Sequence, residues 1–218
     1  MKKRARKSVL LLGIFMLFAS FYCFPLQTFA AVEQSGDAMF ANSSMYYLTG
    51  HKSWYKSLET LMAEIDKVDS YNQKYPDNKI TGIVFDVEPY LDAEYEADAY
   101  KGFETYVNNM VSAYHYAKNK EIKFVTVIPY WYDNYTENAA FTDKQRQAVD
   151  KLLQKLIQYS DRISVMNYYK GHMVKHIATE LKYASTYHVE LESIAEFGKP
   201  SASAGVEDIV TFYVEDDP

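Results

Sequence analysis

Short β-branched runs alternate with stretches of helical period along this chain, and that alternation constrains its fold more than any other feature. Strand candidates are Met45–Thr49, Ile80–Tyr90, Ile122–Ile128, Arg162–Tyr168 and Val189–Ala195. Between them, apolar residues recur at three and four. Leu58, Leu61, Met62, Ile65 and Val68 make one stripe, with Ser53 as the expected helix cap; Phe103, Val107, Met110, Val111 and Tyr114 make a second within Glu94–Asn119. Val149, Leu152, Leu153, Leu156 and Ile157 follow a Thr142/Gln145 capping box; Val174, Ile177, Ala178, Leu181 and Ala184 face inward on His172–Tyr187. Ile209–Val214 is apolar and β-branched and reads equally as strand or helix.

A strand–helix unit repeated about every 40 residues implies parallel strands joined by crossover helices. The expectation is an α/β fold, a partial or shortened (β/α) barrel of about five to six parallel strands; an open doubly wound sheet is the alternative. Residues 31–218 fall short of the about 250 that a complete eight-fold barrel takes. An incomplete barrel leaves an unpaired edge, so self-association is expected there. No glycine-rich phosphate loop follows any strand, which argues against a nucleotide site.

Residues 1–30 read as a signal peptide. Lys2, Lys3, Arg4, Arg6 and Lys7 form a basic head, Val9–Phe24 is apolar, and Thr28-Phe29-Ala30 offers a cleavage site after Ala30. The apolar run is short for a membrane span, so contact with a membrane is expected only if the signal stays uncut. Residues 31–44 read as a flexible lead-in and 45–218 as one barrel-like domain. The expected location is secreted or cell surface. The single cysteine, Cys23, lies inside the signal, so the exported part has no thiol for disulfide, zinc or nucleophile chemistry. Removing the signal leaves 18 basic against 29 acidic residues, a net charge of −11 that disfavours nucleic-acid partners.

Ile80–Tyr90 carries the candidate chemistry. Ile83, Phe85 and Val87 make one apolar face; Gly82, Val84, Asp86 and Glu88 make the other, before Pro89 ends the ladder. Two residues apart on a strand means about 6–7 Å, close enough for one carboxyl to hold its proton beside an ionised neighbour. That pairing suits acid-assisted glycosidic cleavage; a strand end with two solvated acids is the plain alternative. Aromatics are 16% of the chain, and Tyr130 and Trp131 follow the third strand, either as a platform under a sugar ring or as rim packing. His172 and His176, with Glu180 on the same stripe, have loose metal-ligand spacing but no link to the acids, so neither a metal nor a cofactor is expected.

The run Thr81-Gly82-Ile83-Val84-Phe85-Asp86-Val87-Glu88 resembles the D-G-x-D-x-D-x-E strand of family 18, chitinase-like glycoside hydrolase barrels, with Thr81 and Val84 in place of two aspartates. Met166-Asn167-Tyr168-Tyr169 resembles that family's M-x-Y-D, without its aspartate. The Asp86-Val87-Glu88-Pro89 run is similar to exported, functionally unassigned bacterial barrels with a D-V-E-P signature. The resemblance covers residues 45–200. It implies Glu88 as general acid, Asp86 orienting a 2-acetamido group, and Tyr168 hydrogen-bonding the acetamido oxygen. Tyr90 and Asn167 belong to the expected sugar-binding set with Tyr130 and Trp131. The implied partner is a polysaccharide or peptidoglycan-type glycan containing N-acetylglucosamine. The two replaced aspartates remove the relay that shares a proton along the strand, which leaves a non-catalytic carbohydrate-binding module as the second reading. Glu196 is a further candidate acid facing Glu88, or a loop acid; a separation of about 5–5.5 Å would suit a retaining mechanism.

Overall fold

A computed structural model describes residues 44–167 and 173–194. The expected signal peptide, nearly all of the lead-in, Tyr168, His172, Glu196 and Ile209–Val214 lie outside these residues.

Five strands form one parallel sheet: β1 (Tyr46–Thr49), β2 (Gly82–Phe85), β3 (Lys123–Pro129), β4 (Arg162–Met166) and β5 (Glu190–Ile194). Each pairs with the next, in the order β1-β2-β3-β4-β5. The crossovers are α1 (Leu58–Lys74), α2 (Ala93–Ala97) with α3 (Ala99–Lys118), α4 (Asp143–Gln158), and α5 (Met173–His176) with α6 (Ala178–Tyr187). The fold is thus α/β with crossover helices, consistent with a partial barrel, and among the described residues the sheet is not closed. A doubly wound sheet reverses strand order at its switch point. No reversal occurs among the described strands, whose order is the sequential one of a barrel. The helices follow the strands in order, α1 against α3, α3 against α4 and α4 against α6.

Period-2 alternation built the sheet's core face. Ile83 and Phe85 align with Phe124 and Thr126, and Ile128 with Val165, so these side chains share one face. All are fully buried, in the same core as Leu61 and Ile65 of α1, Phe103 and Met110 of α3, and Leu153 and Ile157 of α4. Each such aliphatic or Phe side chain contributes about 1.5–3 kcal/mol by leaving water. The opposite face is covered unevenly: Val125 and Val127 are buried, whereas Leu48 on β1 is 55% exposed.

Caps set the helix boundaries, and three differ from the sequence expectation. Ser53 precedes a 3-10 turn, Trp54–Lys56, while α1 starts behind Ser57, whose hydroxyl accepts from the Thr60 N–H at 3.2 Å. Glu94–Asn119 is broken at Asp98: its carboxylate accepts from the Lys101 N–H at 3.1 Å, so a new helix begins. His172–Tyr187 is likewise divided at Ile177, and Val174, expected inward, is 63% exposed on the short α5. The Thr142/Gln145 capping box forms as expected, with Thr142 N–H to Gln145 Oε1 at 2.8 Å and Gln145 N–H to Thr142 Oγ1 at 3.3 Å.

Candidate functional site at the ends of β2 and β3

The β2 ladder stops at Phe85, so Asp86 and Glu88 follow the strand rather than lie within it. Two contacts hold Asp86 against the end of β1. Its N–H donates to Thr49 O at 2.8 Å, and Gly50 lies so close that a Cβ there would be 1.9 Å from Asp86 O. Only glycine permits that approach. Val87, 2% exposed, anchors the segment between the two acids. Pro89 then opens a 3-10 turn, Pro89–Leu91, with Glu88 immediately before it.

Both acids are half-buried. Asp86 Oδ1 is out of contact with water and has no hydrogen-bond partner among the described residues. Burial pushes the Asp86 carboxyl up to about 6, and the neighbouring Glu88 charge adds to the shift. Glu88 Oε1 accepts a hydrogen bond from the Tyr90 hydroxyl. Among the described residues neither acid has an ion pair with Lys or Arg.

The residues after β3 diverge. Trp131 meets Tyr90 edge-on, with ring centroids 4.9 Å apart, and joins the acid side. Tyr130 stacks on His176 of α5, with ring centroids 5.3 Å apart. Tyr132 is fully buried, with Tyr90 and Phe103 at 6.3 and 5.0 Å. A strand that ends at Pro129 and turns at once into the 3-10 segment Tyr132–Glu137 sends successive side chains in different directions.

Asn167 is fully buried at the end of β4. Its N–H donates to Ile194 O at 3.2 Å and its Nδ2 to Met173 O at 2.9 Å, tying β4 to β5 and α5. Its Oδ1 has no partner among the described residues. The structure brings together Asp86, Glu88, Tyr90 and Trp131. It gives Tyr130 and Asn167 other neighbours, and Tyr168 and Glu196 lie outside the described residues.

Sequence reasoning missed the Tyr106 phenol, and it grouped Tyr132 with Tyr130 and Trp131 as a platform or rim aromatic rather than as a buried hydroxyl. Tyr106 of α3 and Tyr132 are fully buried, their rings 6.3 Å apart, and neither hydroxyl has a partner among the described residues. Burial raises the Tyr106 phenol, and the Asp86 and Glu88 charges raise it further, which puts Tyr106 within electrostatic reach of both acids. Its spacing from Phe103 was the available signal: a tyrosine three residues along a buried stripe brings a hydroxyl into the core.

An open cleft of about 260 Å³ lies elsewhere, lined by residues that include Asp133, Asp150, Thr179 and Tyr183, and by neither Asp86 nor Glu88. At the acid site, one carboxyl keeps its proton towards neutral pH beside a second that is hydrogen-bonded to a phenol, with an indole against that phenol. This arrangement can donate a proton and hydrogen-bond hydroxyl or amide groups. No protein-family model, no curated protein and no solved structure matches this chain.

Proposed function

We propose that this chain is an exported glycoside hydrolase-like protein, secreted or held at the cell surface, that acts on N-acetylglucosamine-containing glycans. The observation that carries the reading is the Asp86–Glu88 pair after β2, with Asp86 raised to about 6 and Glu88 held by the Tyr90 hydroxyl. A carboxyl that holds its proton up to about pH 6 beside a second carboxyl is the kind of pairing glycosidic cleavage uses. Glu88, the later residue of the two, delivers the proton to the glycosidic oxygen. Asp86 hydrogen-bonds the 2-acetamido group and serves as the proton reservoir. The Trp131–Tyr90 edge supplies apolar surface for a sugar ring. Tyr168 is assigned to the acetamido oxygen by resemblance to the chitinase-like strand alone.

A non-catalytic glycan-binding module is the second reading. It is favoured by Thr81 and Val84 standing where the resembled strand carries acids.

The test is release of reducing ends from peptidoglycan and from chitooligosaccharides by the purified protein, with Glu88→Gln in parallel. The expected outcome is a loss of about 10²–10⁴-fold in the variant, the usual contribution of a general acid. Equal turnover by both proteins removes Glu88 from the mechanism. Saturable binding without turnover in either selects the binding module.

A further inference from the structure

We propose that Tyr106 is a positioning residue for the acid pair: when Asp86 ionises, the Tyr106 hydroxyl donates to its carboxylate, directly or through one water. The role rests on the reading of Asp86 and Glu88 as the working acids, and it adds a residue from α3 to a site otherwise built from segments that follow strands.

Two buried oxygens carry the argument. Asp86 Oδ1 and Tyr106 Oη are each out of contact with water, and each lacks a partner among the described residues. A buried hydroxyl left unpaired gives up its hydrogen bonds to water without replacement, so a phenol retained on the core stripe has reason to find an acceptor. Only a few groups are candidates. Tyr132, across a 6.3 Å ring contact, has a hydroxyl that is itself unpartnered. The Tyr95 hydroxyl already donates to Tyr135 at 3.0 Å. Glu88 already accepts from Tyr90, and unlike Asp86 it has no buried oxygen left without a partner among the described residues. Asp86 remains, and it is the first charge acting on the Tyr106 phenol after burial itself.

Protonation states settle the direction. Burial and the two acids hold the Tyr106 phenol protonated throughout the range in which Asp86 titrates. Its one hydrogen is therefore available to the Asp86 anion. The titratable groups whose charge reaches Asp86 are Glu88 on its own segment and Tyr106 from α3; Tyr90 is hydrogen-bonded to Glu88, and Tyr132 packs on Tyr106. Donation from Tyr106 stabilises ionised Asp86 and so limits how far burial can raise it. Without that hydroxyl, Asp86 would keep its proton to higher pH and be slower to yield it to Glu88.

The experiment is carboxyl-carbon NMR titration of Asp86 in the full protein and in Tyr106→Phe, with no glycan present. Phenylalanine keeps the ring and removes only the oxygen. The expected result is an about tenfold weaker acid at Asp86 in the variant, the size of a lost hydrogen bond to a charged group. Tyr132→Phe is the control and is expected to leave that midpoint in place. In the wild-type protein, the Tyr106 Cζ resonance is expected to move with the Asp86 midpoint, a readout that needs no variant. An unmoved Asp86 midpoint in Tyr106→Phe, an equal shift in Tyr132→Phe, or a Tyr106 Cζ resonance blind to Asp86 overturns the proposal. If the titrations behave as expected while no glycan is bound or cleaved, the function proposed above fails and the Tyr106–Asp86 coupling stands.

Discussion

Asp86 and Glu180 are both carboxyls removed from water, yet they sit in unlike company. Asp86 follows a strand, beside Glu88 and within reach of Tyr106, and is raised to about 6. Glu180 is fully buried within α6, with no partner for either oxygen among the described residues, and is raised to about 8. Burial is the larger cause for both; Asp133 adds repulsion at Glu180, as Glu88 does at Asp86. Thr179 donates to Asp133 at 2.9 Å, holding that charge near α6. The size of a pKa shift therefore does not mark the working acid. The more perturbed group has one neighbouring charge, Asp133, whereas the less perturbed one is coupled by charge to both a second carboxyl, Glu88, and a buried phenol, Tyr106.

The largest expected effect is at Glu180. Its folded value lies above the ordinary 4.5, so its contribution to stability is complete below pH 4.5 and is lost as pH rises towards about 8. The slope is on the order of 1.4 kcal/mol per pH unit. Glu180→Met is expected to abolish that slope and to unfold at higher urea than wild type at pH 8, by several kcal/mol in all. An unchanged slope would mean that Glu180 is paired or wet, and the contrast with Asp86 would break. Asp86→Asn is the next test. The sign is the same, but the window is narrower, from the ordinary 3.8 to about 6. Denaturation from pH 3 to 9 should show the slope reduced between pH 3.8 and about 6, where Asp86 contributes, and unchanged from there to about pH 8, where Glu180 alone contributes. Loss over the whole range would show that the two carboxyls are coupled. The smallest effect is expected at Gly50→Ala. Its Cβ would lie 1.9 Å from Asp86 O, so the backbone must yield at a cost of about 1–3 kcal/mol. The Asp86 midpoint should move while that of Glu180 stays, which NMR titration of both carboxyls would check.

Much of this fold was legible because alternation is a local signal. The apolar set Ile83, Phe85 and Val87 became a buried face, and the Leu153, Leu156 and Ile157 stripe became the buried side of α4. The Thr142/Gln145 box was legible for the same reason, since its partners are three residues apart. The break at Asp98 was harder to see, because a capping aspartate competes with a continuous apolar period and wins only if the chain turns there. Within the site, Asp86 and Glu88 could be named as a pair from spacing. Tyr130 and Trp131 could not be told apart, because the direction of a side chain after a strand depends on the turn that follows. Sequence spacing places Glu180 on a helical stripe of loose metal-ligand type, and only packing shows it to be buried.

The chain's own periodicities determined the order of strands and helices, the face that each turns inward, and the placing of two acids at the end of β2. These follow from geometry within about one turn of helix or a few residues of strand. Tertiary structure alone decided which phenol from α3 feels the charge of the acids, which of the two buried carboxyls has a second acid coupled to it on its own segment, and that Trp131 and Tyr132 meet Tyr90. Those outcomes depend on contacts between segments far apart in sequence, where desolvation and charge act through space and leave no period for the sequence to display.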